Sequence, residues 1–223
     1  VTSTERATTL VEGEAHVFTV EHVIAGLYMS GIDNCRVEMD SPEPPAADGS
    51  SQVFCQLIQE AGKVEQAEKI QWLEVKEALQ IYDKNRYIVI LPYDGFRISF
   101  TSENSHPELG TQYLDLEIDH ESCLIEIAPA RTIGFVEELE ILKSKGLALG
   151  GSLENALVYD RITSLNVPRF SDELVRHKML DVIGDLALCG FRIKGHVIAV
   201  QSAHALNTQL AAKLRQYAQK GSK

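Results

Sequence analysis

Basic residues are scarce in this chain. Lys and Arg number 21 against 32 Asp and Glu, a formal charge of −11, and that balance argues against nucleic acid or an anionic membrane as partner, since both reward surplus cations. Cysteine is scarce too: Cys35, Cys55, Cys123 and Cys189 lie far apart and form no CxxC pair. Neither a zinc ribbon nor a disulfide framework is therefore suggested, and the four read as reduced and mostly buried. No apolar run approaches the ~18 residues that span a bilayer, and no basic start followed by an apolar stretch marks a signal peptide. The expectation is a cytoplasmic chain with no stable membrane insertion. The Gly-rich "GLALGGS" lacks the Lys-Ser/Thr of a phosphate-binding loop and reads as a turn. An initiating Met is missing as well; the opening "VTSTERATTLVEGEAHVFTV" reads as the end of a strand region, and the chain as a fragment.

What is present is ordinary globular material. At 223 residues and 44% hydrophobic, the chain lies between one large domain and two small ones and can bury a real core. After the alternating "HVFTV", the run "TVEHVIAGLYMSG" sets Val20, Val23, Ile24 and Leu27 at helical spacing, with Thr19 as an N-cap and Gly31 as a stop. "NCRVEMD" alternates like a strand, "SPEPPAADGS" is a Pro-rich loop, and "SQVFCQLIQEAG" is a second helix ending at Gly62. Beyond a charged linker, "KVEQAEK", come "IQWLEV", "ALQIYDKNRYIVILPY", "FRISFTS" and "QYLDLEID", rich in β-formers and predicting a mostly antiparallel sheet. From about Glu121 the pattern turns helical. A short strand, "NALVYD", a helix from about Asp172, a strand, "IKGHVIAVQ", and an amphipathic last helix complete it. The class is α+β, with a first domain over residues 1–64, incomplete at its N-terminus, and a second over 65–223.

The helix "ELVRHKMLDVIGDL" carries the chemistry. Val175, Met179, Val182, Ile183 and Leu186 form one apolar stripe, while His177, Asp181 and Asp185 share a narrow arc on the other side. Leu174 and Leu188 flank that arc, so the face is not plainly solvated and its carboxylates need partners. His and Asp at i, i+4 can grip one metal ion. On this helix alone the simpler reading is an intrahelical His177–Asp181 pair, with Asp185 meeting solvent or Arg192; a third ligand would change that. Of the seven histidines, His16 and His196 fall in expected strands, His106 precedes Pro107 in a loop, and His120 stands beside acidic residues. For these four a surface or hydrogen-bonding role is simpler. His22 follows Glu21 in the first turn of a helix, and His204 lies where a strand becomes a helix, a common place for sites. Two His and one Asp would hold zinc with a fourth position open to water. Glu21 could then take that water's proton, and a cationic His204 could steady the oxyanion or protonate a leaving amine.

Here the residues carry a resemblance. "TVEHVIAGLYMSGIDNCRVEMDSPEPPAADGSS", "ARTIGFVEELEILKSKGLALGGSLENALV", "ELVRHKMLDVIGDL" and "SAHALN", in that order, resemble the UDP-3-O-acyl-N-acetylglucosamine N-deacetylases, zinc enzymes of lipid A synthesis. The resemblance runs through nearly the whole chain. It implies that His22, His177 and Asp181 bind Zn2+, that Glu21 is the general base, and that His204 is the general acid or electrostatic catalyst, oriented and charged by Asp185. It implies that the Thr132 hydroxyl helps polarise the scissile carbonyl, that Phe135 is an aromatic near the active site, and that Lys178 lies near the substrate's diphosphate. Without the family, Thr132 reads as a helix cap and Lys178 as a solvated charge. The implied fold is two α+β domains with the site between them, the second carrying an inserted βαβ element over "ESCLIEIAPA" and "GFVEELEILKSKGLALGGSL". The implied partner is a small molecule, an acylated UDP-glucosamine, and the implied state a monomer.

The chain also departs from the family. The family carries an N-terminal segment with strands and a His-bearing turn upstream of where Val1 stands, and without it the expectation is an incomplete sheet in the first domain with an exposed edge. In "SENSHP", which resembles the family's Asp-Phe-Asn-His-Pro stretch, Asn104 stands where an aromatic contacts the uracil, and Ala203 replaces a glycine. Two other readings compete: a truncated relative that binds zinc or UDP-sugar without turnover, and an unrelated α+β binding module that holds no metal. Retention of Glu21 and His204 speaks against the first, because a purely structural zinc site needs neither.

Overall fold

A computed structural model of the protein describes residues 1–138 and 150–221. The chain opens with a hairpin of β1 (Leu10–Glu12) and β2 (Ala15–Val17), joined through Gly13, whose φ of 59° suits a tight turn. Helices α1 (Glu21–Met29) and α2 (Gln52–Ala61) follow. Next come β3 (Trp72–Glu74), β4 (Leu79–Asp83), β5 (Arg86–Leu91), β6 (Phe96–Glu103) and β7 (Thr111–Glu117). A short helix, α3 (His120–Ser122), runs into a π-helical turn over Cys123–Ile127. Strands β8 (Ile133–Phe135) and β9 (Leu157–Tyr159) precede the long helix α4 (Glu173–Ala187), strand β10 (Arg192–Val200) and the last helix α5 (His204–Gly221). Helices and mixed sheets together make an α+β fold. No described helix is long and apolar enough to cross a membrane.

The main sheet runs β4-β5-β10-β6-β7, with β3 alongside the start of β10. Most of its pairings are antiparallel, as the sequence predicts, but β10 lies parallel to β6 and to β3. Alternation along β10 turns Ile193, Val197 and Ala199 inward. They meet a core of Ile88, Ile90, Ile98 and Phe100 from neighbouring strands, with Met179, Leu180, Val182, Ile183 and Leu186 from α4. Helix α4 is buried nearly all round, Glu173 through Leu186, because it is wedged between α1, α5 and the sheet. Strands β8 and β9 are parallel, the pairing that a βαβ crossover requires. The expected crossover helix falls on residues 139–149, outside the described residues.

Three local expectations are corrected. Thr19 does not cap α1: its φ is 52°, its hydroxyl donates to Glu43 Oε1 at 2.5 Å, and the residue before the helix is Val20. The buried face of α1 is Glu21, Ala25, Gly26 and Met29, while Val23, Ile24 and Leu27 are half-buried. Small residues there let α2 approach, a Cβ added at Gly26 lying 3.0 Å from Phe54 Cβ. "NCRVEMD" is no strand; it is exposed, with Val37 at 53%. An alternating segment becomes a strand only where a ladder partner meets it, and β1 and β2 pair with each other instead. Gly31, at φ 72°, ends α1 as expected, and Gly62 ends α2.

Candidate active site

Helices α1 and α4 meet backbone to backbone. A Cβ built on Gly184 would lie 2.2 Å from the Glu21 carbonyl oxygen, so only glycine lets the two helices come this close. That contact sets the first turn of α1, with Glu21 and His22, against His177, Asp181 and Asp185, which stand one turn apart along α4. His177 and Asp181 are each 3% exposed and Asp185 is fully buried. His204, the first residue of α5, closes the group.

The donor atoms of His22, His177 and Asp181 all lie within 4.8 Å of one another. Asp181 Oδ1 is 3.5 Å from His177 Nε2 and 3.9 Å from His22 Nε2, and the two rings meet edge to face at 5.0 Å. His177 Nδ1 lies 3.1 Å from the Ala130 carbonyl oxygen; it must donate there, which leaves the Nε2 lone pair facing Asp181. Asp181 Oδ2 accepts from Lys178 Nζ at 2.8 Å, but Oδ1 is buried with no hydrogen-bond partner. An orphaned buried carboxylate oxygen is costly. The His177 Nε2 lone pair faces it and His22 Nε2 stands 3.9 Å away, so the costs add rather than cancel, and a cation would relieve them. Ligand bonds of ~2.0–2.1 Å in a tetrahedron place donors roughly 3.4 Å apart, close to the spacings found. The residues present therefore fit a zinc ion.

The electrostatics agree with the geometry. Burial, helped by His177, pushes His22 down to about 3, and burial also lowers His177, so both imidazoles are neutral near pH 7. Burial alone would raise Asp181; Lys178 and the nearby histidines outweigh it and hold the carboxyl well below the usual range. Burial thus disfavours the charged imidazole that an intrahelical ion pair with Asp181, 3.5 Å away, would need. Burial pushes Glu21 up to about 7, against the pull of His204 and with that of Asp181. His204 moves the other way: burial opposes its charge, but Asp181 and then Asp185 prevail and raise it to about 9. One carboxyl poised near neutrality and one imidazole held in its charged form are the chemistry that an acid–base pair needs.

Asp185 meets neither solvent nor Arg192. Its Oδ2 accepts from His204 Nδ1 and from Asn207 Nδ2, both at 2.9 Å, and its Oδ1 from Thr8 Oγ1 at 2.6 Å. Arg192 instead donates to Asp33 and to the Tyr28 and Ile32 carbonyls at the end of α1. Lys178 is no free surface charge either, being bonded to Asp181. Thr132 is not a helix cap: it leads into β8, its N–H donating to Gly49 O and its carbonyl accepting from Leu157 N. It lies two residues beyond Ala130, whose carbonyl holds His177. Phe135 packs at a tilt against His106 and Tyr159, with ring centroids 6.2 and 6.1 Å away, and His106 is buried and bonded to the Asp160 carbonyl, a hydrogen-bonding role.

Sequence reasoning missed Thr8, Asn207, Arg131 and Glu173. Asn207 stands one turn after His204 in "HALN", a spacing that could have revealed it. Glu173 accepts from the Arg131 side chain and N–H at 2.9–3.2 Å and from Arg169 N at 2.6 Å, which anchors the Ala130–Thr132 stretch beside α4. Nothing in a sequence pairs residues so far apart.

Residues 1–216 match the model of a deacetylase family. That family is LpxC, UDP-3-O-acyl N-acetylglycosamine deacetylase, and the chain belongs to it. Curated proteins named UDP-3-O-acyl-N-acetylglucosamine deacetylase are similar along most of their length. The one from Geobacter sp. (strain M21) is 44% identical over 216 residues, 96% of this chain and 71% of the relative. That from Myxococcus xanthus (strain DK1622) is 45% identical, covering 96% and 69%, and that from Histophilus somni (strain 129Pt) 44%, covering 91% and 68%.

Proposed function

We propose that this protein is a zinc-dependent hydrolase that removes the N-acetyl group from UDP-3-O-acyl-N-acetylglucosamine, releasing acetate in lipid A biosynthesis. The observation that carries the metal is the buried, partnerless Asp181 Oδ1 between two neutral imidazoles; family membership carries the substrate. His22, His177 and Asp181 would hold the ion, which when bound supplies Lewis-acid polarisation of water and of the amide carbonyl.

The remaining work falls to the chain itself. Glu21, near pKa 7, accepts the proton of the attacking water at its carboxylate. His204, protonated at neutral pH, keeps Nδ1 on Asp185 and offers its Nε2 proton to the leaving amine. Water and amide thus become acetate and the free amine. The Thr132 hydroxyl supports the developing oxyanion, Lys178 sets positive charge towards the diphosphate, and Phe135 lines the substrate's path. Parts 1–64 and 65–223 act as two domains in this reading, the first supplying His22 and the second His177 and Asp181. The reading also makes the protein a cytoplasmic monomer.

Zinc content and acetate release, measured on one preparation beside Glu21→Ala and Asp181→Ala, test it. We expect stoichiometric zinc and turnover in the parent, zinc without turnover in Glu21→Ala, and neither in Asp181→Ala. A parent that holds zinc but never turns over would favour the non-catalytic relative, and one that holds no zinc near neutral pH would sink the proposal.

A further inference from the structure

Thr8 is fully buried just before β1 and touches both sides of the candidate site. Its N–H donates to Glu21 Oε2 at 2.9 Å, its carbonyl accepts from Val20 N at 3.3 Å, and its hydroxyl donates to Asp185 Oδ1 at 2.6 Å. One residue therefore grips the first turn of α1 and the last turn of α4. Among the described residues the Thr8 hydroxyl is the donor to Asp185 Oδ1, while the other carboxylate oxygen is shared by His204 and Asn207. Asn207 is itself fixed by Ser202 Oγ, which donates to its Oδ1 at 2.6 Å. A carboxylate held at one oxygen only can turn about Cβ–Cγ, and the histidine bonded to it turns too. Held at both, it gives His204 one direction.

We propose that Thr8 is a positioning residue that locks Asp185, and through it His204, in register with Glu21. The inference rests on the function proposed above, in which Glu21 and His204 move the two protons of one reaction. Its backbone arm to Glu21 survives any side-chain change except proline, so substitution isolates the hydroxyl arm. Thr8→Val keeps the shape and removes the donor; Thr8→Ser keeps the donor.

The test uses the zinc-loaded full chain. In Thr8→Val, kcat falls roughly 10- to 100-fold, the scale at which misplacement of a reacting group is felt, with KM and zinc content unchanged. Thr8→Ser recovers kcat to within about threefold. Proton NMR with 15N-labelled histidine, recorded without substrate, reads the His204 Nδ1–H directly: a downfield, slowly exchanging signal in the parent and in Thr8→Ser, broadened or lost in Thr8→Val. Should Thr8→Val not fold, Thr8→Ala carries the same test. A parental kcat with an intact signal in Thr8→Val, or an equal loss in Thr8→Ser, overturns the proposal. Absence of acetate release by the parent would overturn the proposed function instead, and the NMR comparison would still decide on Thr8.

Discussion

Helix α4 carries two buried charged clusters, and they are built differently. At its first turn, Glu173 accepts from Arg131 and from the Arg169 N–H, while Arg131 also donates to the Val167 carbonyl. Every charge there has an opposite charge or a donor in place. Two turns further on, Asp181 brings Oδ1 to two neutral imidazoles and finds no donor for it, although its Oδ2 accepts from Lys178. Both clusters cost desolvation. The first recovers it inside the protein and so holds structure; the second stays in deficit until something cationic arrives, and that deficit marks it as the site.

The comparison breaks hardest at Asp181. Asp181→Ala should abolish zinc retention and cut acetate release by more than about 10⁴-fold, beyond the loss of acid–base help alone. The melting temperature of the metal-free protein should fall, but by less than in Glu173→Gln, because the change removes an unsatisfied oxygen together with the partner of the half-buried Lys178. A large stability loss would mean that Asp181 is structural after all. His204→Gln should cost about 10²–10⁴ in kcat while zinc stays bound, as metal analysis would show. Glu173→Gln should reverse the pattern: urea unfolding should report a loss of about 3–5 kcal/mol for a broken buried pair, with turnover of the folded enzyme down by less than about tenfold.

The gentlest test is pH, because the clusters fail at opposite ends. Burial would raise Glu173, but the Arg131 and backbone bonds outweigh it and depress its pKa. It therefore stabilises the fold above the ordinary carboxylate range and stops doing so as pH falls through the depressed value. His204, raised from 6.5 to about 9, contributes fully below 6.5 and loses its contribution as pH climbs through about 9. Melting curves of the metal-free protein should show Glu173→Gln flattening the acid limb and His204→Gln the alkaline one. Equal effects on both limbs would erase the distinction.

How much of this was legible in the sequence follows from the range of each interaction. Helices α1, α2, α4 and α5 and the strands of the main sheet declare themselves by periodicity, and His177, Asp181 and Asp185 share a face by arithmetic on one helix. "NCRVEMD" misled because alternation states a preference that only a neighbouring strand can satisfy. Thr19 misled because its backbone sits at positive φ, which residue type does not announce. Thr8 was invisible for another reason: one of its two contacts with the site is a backbone N–H, a group every non-proline residue possesses. His22 and His204 became candidates from local context, but their meeting with α4 depends on Gly184, and a lone glycine in a helix gives no hint of what approaches it.

Strand β10 lies in the middle of the main sheet yet is the last of its strands to be synthesised. On a ribosome, β5 and β6 emerge with facing edges and nothing between them. At about 5–20 residues per second, they wait roughly 5 to 20 seconds for β10. During that interval two apolar edges are open to pairing with other chains, and neither α4 nor His204 has a surface to settle on. Assembly of the cluster of Glu21, His22, His177, Asp181 and His204 is therefore a late event in the life of this chain, and a nascent polypeptide stalled before β10 would be a client for chaperones rather than a partly active enzyme.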